Sequence, residues 1–180
     1  MAVAGKFPPT GCRNVSGFSL LELVVVICII SGLLALAIPK LWALQVEAEK
    51  VAMEQVLGNL RSAIGIKVAD FLVRNDMAGV RSLTGSNPMD RLSEVPSNYR
   101  GALNGANPDT IAAGNWYFDM QAKALVYRVR NQDYFRGGLG KPARARFVIR
   151  VIYEERGRNT TEIAGATLVS LEPYVWIDKD

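Results

Sequence analysis

The stretch that decides the fold is Phe18 to Ile38, FSLLELVVVICIISGLLALAI, in which Glu22 is the single charged residue. A helix of about 20 apolar residues is long enough to cross the hydrocarbon core of a bilayer. The preceding residues 1–17 contain Lys6 and Arg13 and no acidic residue. A short basic segment before an apolar run is typical of a cytoplasmic N-terminus. The sequence therefore predicts a membrane-inserted helix that enters from the cytoplasmic side.

A cleaved secretory signal is the main alternative for this segment. Ala35-Leu36-Ala37 resembles the small-residue site at which such signals are cut. However, the apolar stretch is longer than the about 7–15 residues typical of these signals, and it carries a carboxylate near its start. A lipoprotein signal also fits poorly, because the bulky Ile27 precedes Cys28. We therefore expect the helix to be retained.

The remaining composition excludes several kinds of chemistry. The 180-residue chain has no histidine, which removes the commonest general base and most zinc ligand sets. Its two cysteines, Cys12 and Cys28, lie before or within the apolar run, so they cannot cross-link an exported domain. The net charge is +4, and Lys6 and Arg13 supply half of it. The rest of the chain is nearly neutral, so bulk charge does not indicate nucleic-acid binding.

Residues around the start of the apolar run closely resemble a known signature. Gly17-Phe18-Ser19-Leu20-Leu21-Glu22 is similar to the N-terminus of type IV prepilins and of the pseudopilins of type II secretion. In that family, the prepilin peptidase of the inner membrane cuts after a glycine and methylates the new N-terminal residue, usually phenylalanine. The resemblance implies cleavage between Gly17 and Phe18 and N-methylation of Phe18. It covers roughly residues 12–45.

The same resemblance gives Glu22 a role. It would be the fifth residue of the mature chain, where the family has a glutamate that is thought to neutralise the Phe18 amine of a neighbouring subunit in the filament. A carboxylate within a membrane segment costs about 2–3 kcal/mol on insertion scales, which makes it a functional candidate. Its position alone would equally fit an interfacial charge eased by the helix dipole. The resemblance favours a role in filament assembly.

The helix is predicted to continue beyond the membrane to about Arg74. An apolar stripe at spacings of three and four predicts an amphipathic second half that packs on a sheet; it comprises Met53, Leu57, Leu60, Ile64, Val68 and Phe71. Gly32 and Pro39 are predicted to kink the first half, and the family commonly has a proline at the position of Pro39. We thus divide the chain into a leader (1–17), a membrane helix (18–38) and an amphipathic continuation (39–74).

Two further regions complete the predicted α+β, pilin-like fold. Residues 75–114 are rich in Gly, Asn, Ser and Pro, which predicts a connecting loop with one short helix near Pro88–Leu92. Residues 115–180 carry alternating patterns that predict an antiparallel sheet of about four strands. The predicted strands are Trp116–Asp119, Ala124–Arg130, Arg144–Tyr153 and Thr167–Leu171.

Candidate binding chemistry in the sheet region is limited. Five arginines could share its outer face: Arg128, Arg130, Arg144, Arg146 and Arg150. A basic face can bind DNA or an acidic partner, but a solvated strand face explains these residues more simply, and nucleic acid is not the expected partner. The C-terminal acids Glu172, Asp178 and Asp180 lack a loop that would converge enough oxygens for calcium. We expect no metal, no cofactor and no enzymatic activity, since no nucleophile–base pair is evident.

Together these features predict a filament subunit, a pseudopilin or minor pilin, of a type II secretion or type IV pilus system. The resemblance implies three kinds of partner: the prepilin peptidase, other pilin-like subunits and an inner-membrane assembly platform. The expected location is the inner membrane, with a cytoplasmic N-terminus and a periplasmic C-terminal domain, and then the assembled filament. The alternative is a minor pilin that binds DNA or a surface through the basic face.

Overall fold

The computed structural model describes residues 19–155 and 161–177, and its fold is α+β. The chain divides into two compact units, one ending at Trp42 and one beginning at Ala43. A long helix, α1, runs from Leu20 to Val73. The boundaries predicted for this helix, Phe18 and Arg74, therefore agree with the structure to within two residues.

The two parts of α1 bury very different amounts of surface. In the first unit every described residue is exposed. In the second unit the predicted apolar stripe is buried, and it begins about two turns earlier than predicted, at Val46 instead of Met53. Phe71, which we placed at its end, is only partly buried against the core. The stripe prediction is therefore confirmed for the amphipathic half of the helix.

The core of the second unit forms where this stripe meets one face of a sheet. Strands β2 (Trp116–Asp119), β3 (Ala124–Arg128) and β5 (Arg144–Glu155) contribute its largest side chains. The Trp116 ring centroid lies 4.7 Å from that of Tyr127 and 6.0 Å from that of Phe147. Residues at alternate positions of a strand share a face, so these inward-facing residues follow the predicted alternation.

The prediction of a loop throughout residues 75–114 is wrong in part. The segment contains a short helix, α2 (Met77–Ser82), and a strand, β1 (Tyr99–Leu103). The predicted helix near Pro88 is present as a 3₁₀ turn, Pro88–Arg91. Strand β1 lacks a clear sequence signal because Gly101 lies at its centre with a φ of 91° and the pairing shifts register there. Glycine at positive φ usually indicates a turn.

The sheet also differs from the predicted set of about four antiparallel strands. Five strands lie in the order β1-β2-β3-β5-β6, where β6 is Thr161–Ser170, and β1 runs parallel to β2. A separate two-stranded sheet pairs β4 (Phe135–Gly137) with β7 (Tyr174–Trp176). All four predicted strands are present. The extra strands are short and pair across long stretches of sequence, so local periodicity does not reveal them.

Candidate functional site

The N-terminal segment carries the residues that resemble the prepilin signature. Gly17 and Phe18 lie outside the described residues, so cleavage and methylation there stay predictions. Ser19 precedes the first turn of α1, and its hydroxyl oxygen accepts a hydrogen bond of 3.2 Å from the backbone N–H of Glu22. A serine at this position satisfies one of the free N–H groups at a helix start. The helix begins at Leu20, two residues after the position at which the mature chain is predicted to begin.

The Glu22 side chain is exposed and has no ion-pair partner within residues 19–155 and 161–177. Large apolar side chains surround it in sequence and are exposed as well, with Leu20 82% and Leu21 74% accessible. Of the described helices, α1 has the length and apolar composition to span a membrane. A single carboxylate on an otherwise apolar surface is costly in lipid unless it meets an opposite charge.

Gly32 and Pro39 both lie inside α1, which is helical on either side of each. A Cβ atom added at Gly32 would have no neighbour within 4 Å. Proline inside a helix removes one backbone hydrogen bond and bends the axis. The predicted kink at these two residues stays a prediction.

The structure brings together three of the five arginines proposed as a basic face. Arg128 on β3 lies directly opposite Arg144 on β5, and Arg146 lies opposite Val126 in the same pairing. Tyr117 lies on the neighbouring strand β2, opposite Val126, and is 2% exposed. Burial raises the pKa of Tyr117, and the charge of Arg144 acts in the opposite direction. The arginines thus cover an aromatic ring on the outer face of the sheet.

These three guanidinium groups already have partners within the chain. Arg146 forms a salt bridge with Glu172, and the hydrogen bond between them raises the pKa of Arg146. Arg144 donates to the backbone oxygens of Gly140 and Pro142 at 3.2 and 3.0 Å. Arg128 donates to the backbone oxygen of Ile111. These contacts favour a structural role for the three arginines.

The other two arginines lie elsewhere. Arg130 follows β3, and its guanidinium lies against Gly114, where a Cβ atom would stand 2.7 Å from it. Arg150 is exposed on β5 three residues beyond Phe147, the last residue that pairs with β3. The five residues therefore do not form one continuous basic patch.

Glu49 lies on α1, and its carboxylate makes contacts that the sequence analysis did not predict. Its carboxylate accepts hydrogen bonds from the Tyr127 hydroxyl (2.9 Å), the backbone N–H of Arg130 (2.6 Å) and that of Asn131 (2.8 Å). It accepts a fourth from the Asn131 side-chain amide at 2.7 Å. Burial, followed by the negative charge of Glu49, raises the pKa of Tyr127. Glu49 therefore ties the amphipathic half of the helix to the end of β3.

Within the described ranges, no three or more acidic or cysteine side chains are grouped so that they could hold a metal ion. Of the acids considered for calcium, Glu172 binds Arg146, whereas Asp178 and Asp180 lie outside the described residues. Comparisons with protein-family models, curated proteins and solved structures found no match. The function is therefore inferred from the chain's own residues.

Proposed function

We propose that this protein is a filament subunit, a pseudopilin or minor pilin, of a type II secretion or type IV pilus system. The observation that carries the proposal is the segment Gly17 to Glu22, which resembles the prepilin signature and leads into an exposed apolar helix. The helix anchors the subunit in the inner membrane before assembly. After assembly, the same apolar surface packs against the helices of neighbouring subunits.

Processing prepares the subunit for that assembly. The prepilin peptidase cuts after Gly17 at the cytoplasmic membrane face, and glycine leaves the backbone accessible there. Cleavage creates an amine on Phe18, which the same enzyme methylates. In the filament this amine meets Glu22 of a neighbour. Opposite charges attract strongly in a low-dielectric environment, and an unpaired one is costly. The pairing thereby sets the axial register of the subunits.

Two features of the structure support this account. Glu22 has no ion-pair partner in the described part of its own chain, which leaves its carboxylate available to a neighbour. The second unit buries its own apolar stripe, so it can form a folded periplasmic domain. An inner-membrane platform would then add such subunits to the filament base.

Mass spectrometry of the membrane-purified protein tests the proposal. We expect a mature chain that begins at Phe18 with a methylated amine when the protein is produced beside an active prepilin peptidase. A chain that begins at Ile38 would indicate a secretory signal. A chain that retains Met1 in the presence of that peptidase would equally contradict the proposal. The same preparation from cells without the peptidase is the control, and it should contain the uncleaved chain.

A further inference from the structure

Strand β5 extends well past its neighbour β3. The pairing of β3 with β5 ends at Leu125 and Phe147, whereas β5 continues to Glu155 with β6 on its other side. The part of β5 from Val148 onward therefore has a neighbouring strand on one side only. A strand edge of this kind presents backbone donors and acceptors to any extended chain that lies beside it.

The backbone hydrogen bonds identify which groups face this open side. In an antiparallel sheet, successive residues direct their N–H and C=O groups alternately to the two neighbouring strands. The backbone oxygen of Arg146 accepts from Leu171 N–H on the β6 side, and that of Ala143 accepts from Val129 N–H on the β3 side. By this alternation Ile149 and Val151 face the open side. Neither has a backbone partner there among the described residues.

A groove runs along this edge. One wall is β5 from Val148 to Val151 together with Tyr153, and the other wall is Thr84, Gly85, Ala122 and Lys123. The turn at Ala122–Lys123 closes one end, because β3 begins immediately after it. Gly85 has a φ of +72°, and a Cβ atom there would stand 3.0 Å from the Lys123 side chain. The glycine therefore allows Lys123 to lie along the groove.

The charge of the groove is positive. Lys123 and Arg150 are exposed at its rim, and neither forms an ion pair or side-chain hydrogen bond within residues 19–155 and 161–177. Tyr153 is 57% exposed beside them. The site therefore combines unpaired backbone groups, an apolar surface and two cations without a carboxylate partner.

We propose that this groove binds an extended, acidic segment of a partner protein as an added strand beside β5. Main-chain hydrogen bonds to Ile149 and Val151 supply affinity in this mode of recognition, and alternate side chains supply specificity. Lys123 and Arg150 select carboxylates on the incoming strand. The proposal concerns the unit that begins at Ala43 and holds whether or not α1 assembles a filament.

The probe is a labelled peptide of alternating residues, Val-Glu-Val-Glu-Val-Glu, added to the full chain in non-ionic detergent micelles. Fluorescence anisotropy should detect binding that weakens as salt is added, because the charges are exposed. The matched peptide with lysine in place of glutamate should bind at least tenfold more weakly. A glutamate peptide with methylated backbone nitrogens should lose binding as well, since it cannot donate to the strand edge.

Two double variants locate the site. Lys123→Glu with Arg150→Glu should weaken binding of the glutamate peptide at least tenfold. Arg136→Glu with Lys141→Glu makes the same charge change at exposed positions outside the groove and should leave binding within twofold of wild type. Equal weakening in both pairs would mean that the peptide responds only to net charge, which would overturn the proposal.

Hydrogen exchange supplies the decisive readout. The amides of Ile149 and Val151 should exchange rapidly in the free protein and become protected when the glutamate peptide binds. Three results would overturn the proposal: no binding at 1 mM peptide, protection at β1 or the outer edge of β6 instead, or protection of these amides without peptide that disappears on dilution. The last result would identify a second copy of the chain as the occupant.

Discussion

Replacing Glu49 by glutamine is the sharpest perturbation of the contact between helix and sheet. One carboxylate oxygen accepts from Tyr127 and Arg130, and the other accepts from the two nitrogens of Asn131. Glutamine keeps the shape but replaces one oxygen with an NH₂ group. That NH₂ group faces a backbone N–H, of Arg130 or of Asn131, from which it cannot accept, and the other hydrogen bonds lose the negative charge of their acceptor. Hydrogen bonds to charged groups contribute about 1.5–3 kcal/mol each. Since Glu49 is only partly buried, water compensates for some of this, and we expect the free energy of unfolding to fall by about 2–4 kcal/mol.

Urea unfolding of the full chain in non-ionic micelles measures this loss. The fluorescence of Trp116, which is 1% exposed in the native protein, reports the exposure of the core. Glu47→Gln is the matched control, because Glu47 is on the same helix and forms an ion pair with Lys50 at 3.5 Å. An exposed pair of this kind contributes about 0–1 kcal/mol. If Glu49→Gln destabilises the protein no more than Glu47→Gln does, the reasoning about the Glu49 contacts is wrong.

Two further predictions concern the core and its response to alkali. Leu60→Asp should destabilise the second unit by about 3–5 kcal/mol or unfold it, since Leu60 is fully buried and an unpaired buried charge is costly. The control Ile66→Asp changes a residue of the same helix that is 74% exposed. Its free energy of unfolding should stay within about 0.5 kcal/mol of the wild-type value. Equal melting temperatures for the two variants would contradict the burial of Leu60. At high pH, the raised pKa of Tyr127 means that the folded state keeps a proton that the unfolded state releases above about pH 10. The free energy of unfolding should therefore fall as pH rises above that value, and Tyr127→Phe should make this fall smaller. Urea unfolding at pH 9 and pH 11 measures the fall in both proteins. An unchanged pH dependence in Tyr127→Phe would count against the burial of this hydroxyl.

Periodic patterns predicted the parts of the fold that depend on local sequence. The spacing of Leu57, Leu60 and Ile64 marks a helix face, and these residues are buried in the structure. The alternation in β5 likewise places Phe147 and Ile149 in the core. Each of these signals repeats over many residues, so a single exception does not remove it.

The features that escaped prediction depend on distant pairing. Strand β1 is interrupted by Gly101, and its parallel neighbour β2 follows only after a further loop. Glu49 belongs by spacing to the polar face of α1, and nothing local indicates that it binds Asn131, 82 residues away. For the arginines, too, the alternating pattern predicts that they share a face of the sheet, but it does not predict that Arg146 forms a salt bridge with Glu172.

At the candidate assembly site, the sequence again predicts one part and the structure adds another. Resemblance in the segment Gly17 to Glu22 predicts processing and filament register. The structure adds the contact of Ser19 with the backbone of Glu22, which gives this segment a local role in starting the helix. A substitution at Glu22 must therefore separate the charge from the helix start. Glu22→Gln and Glu22→Val both keep the backbone N–H that donates a hydrogen bond to the Ser19 hydroxyl. Ser19→Ala removes this acceptor and keeps the Glu22 carboxylate.

The yield of sheared filament relative to processed, membrane-held subunit tests the central claim most directly. In Glu22→Gln and Glu22→Val, we predict normal membrane insertion and normal cleavage after Gly17. Filament should nevertheless be absent, because each Phe18 amine would be left without a counter-charge in an apolar core. Ser19→Ala should still form filament. Wild-type filament yield from the two Glu22 variants would contradict the register role, and loss of membrane insertion would show that the carboxylate acts before assembly.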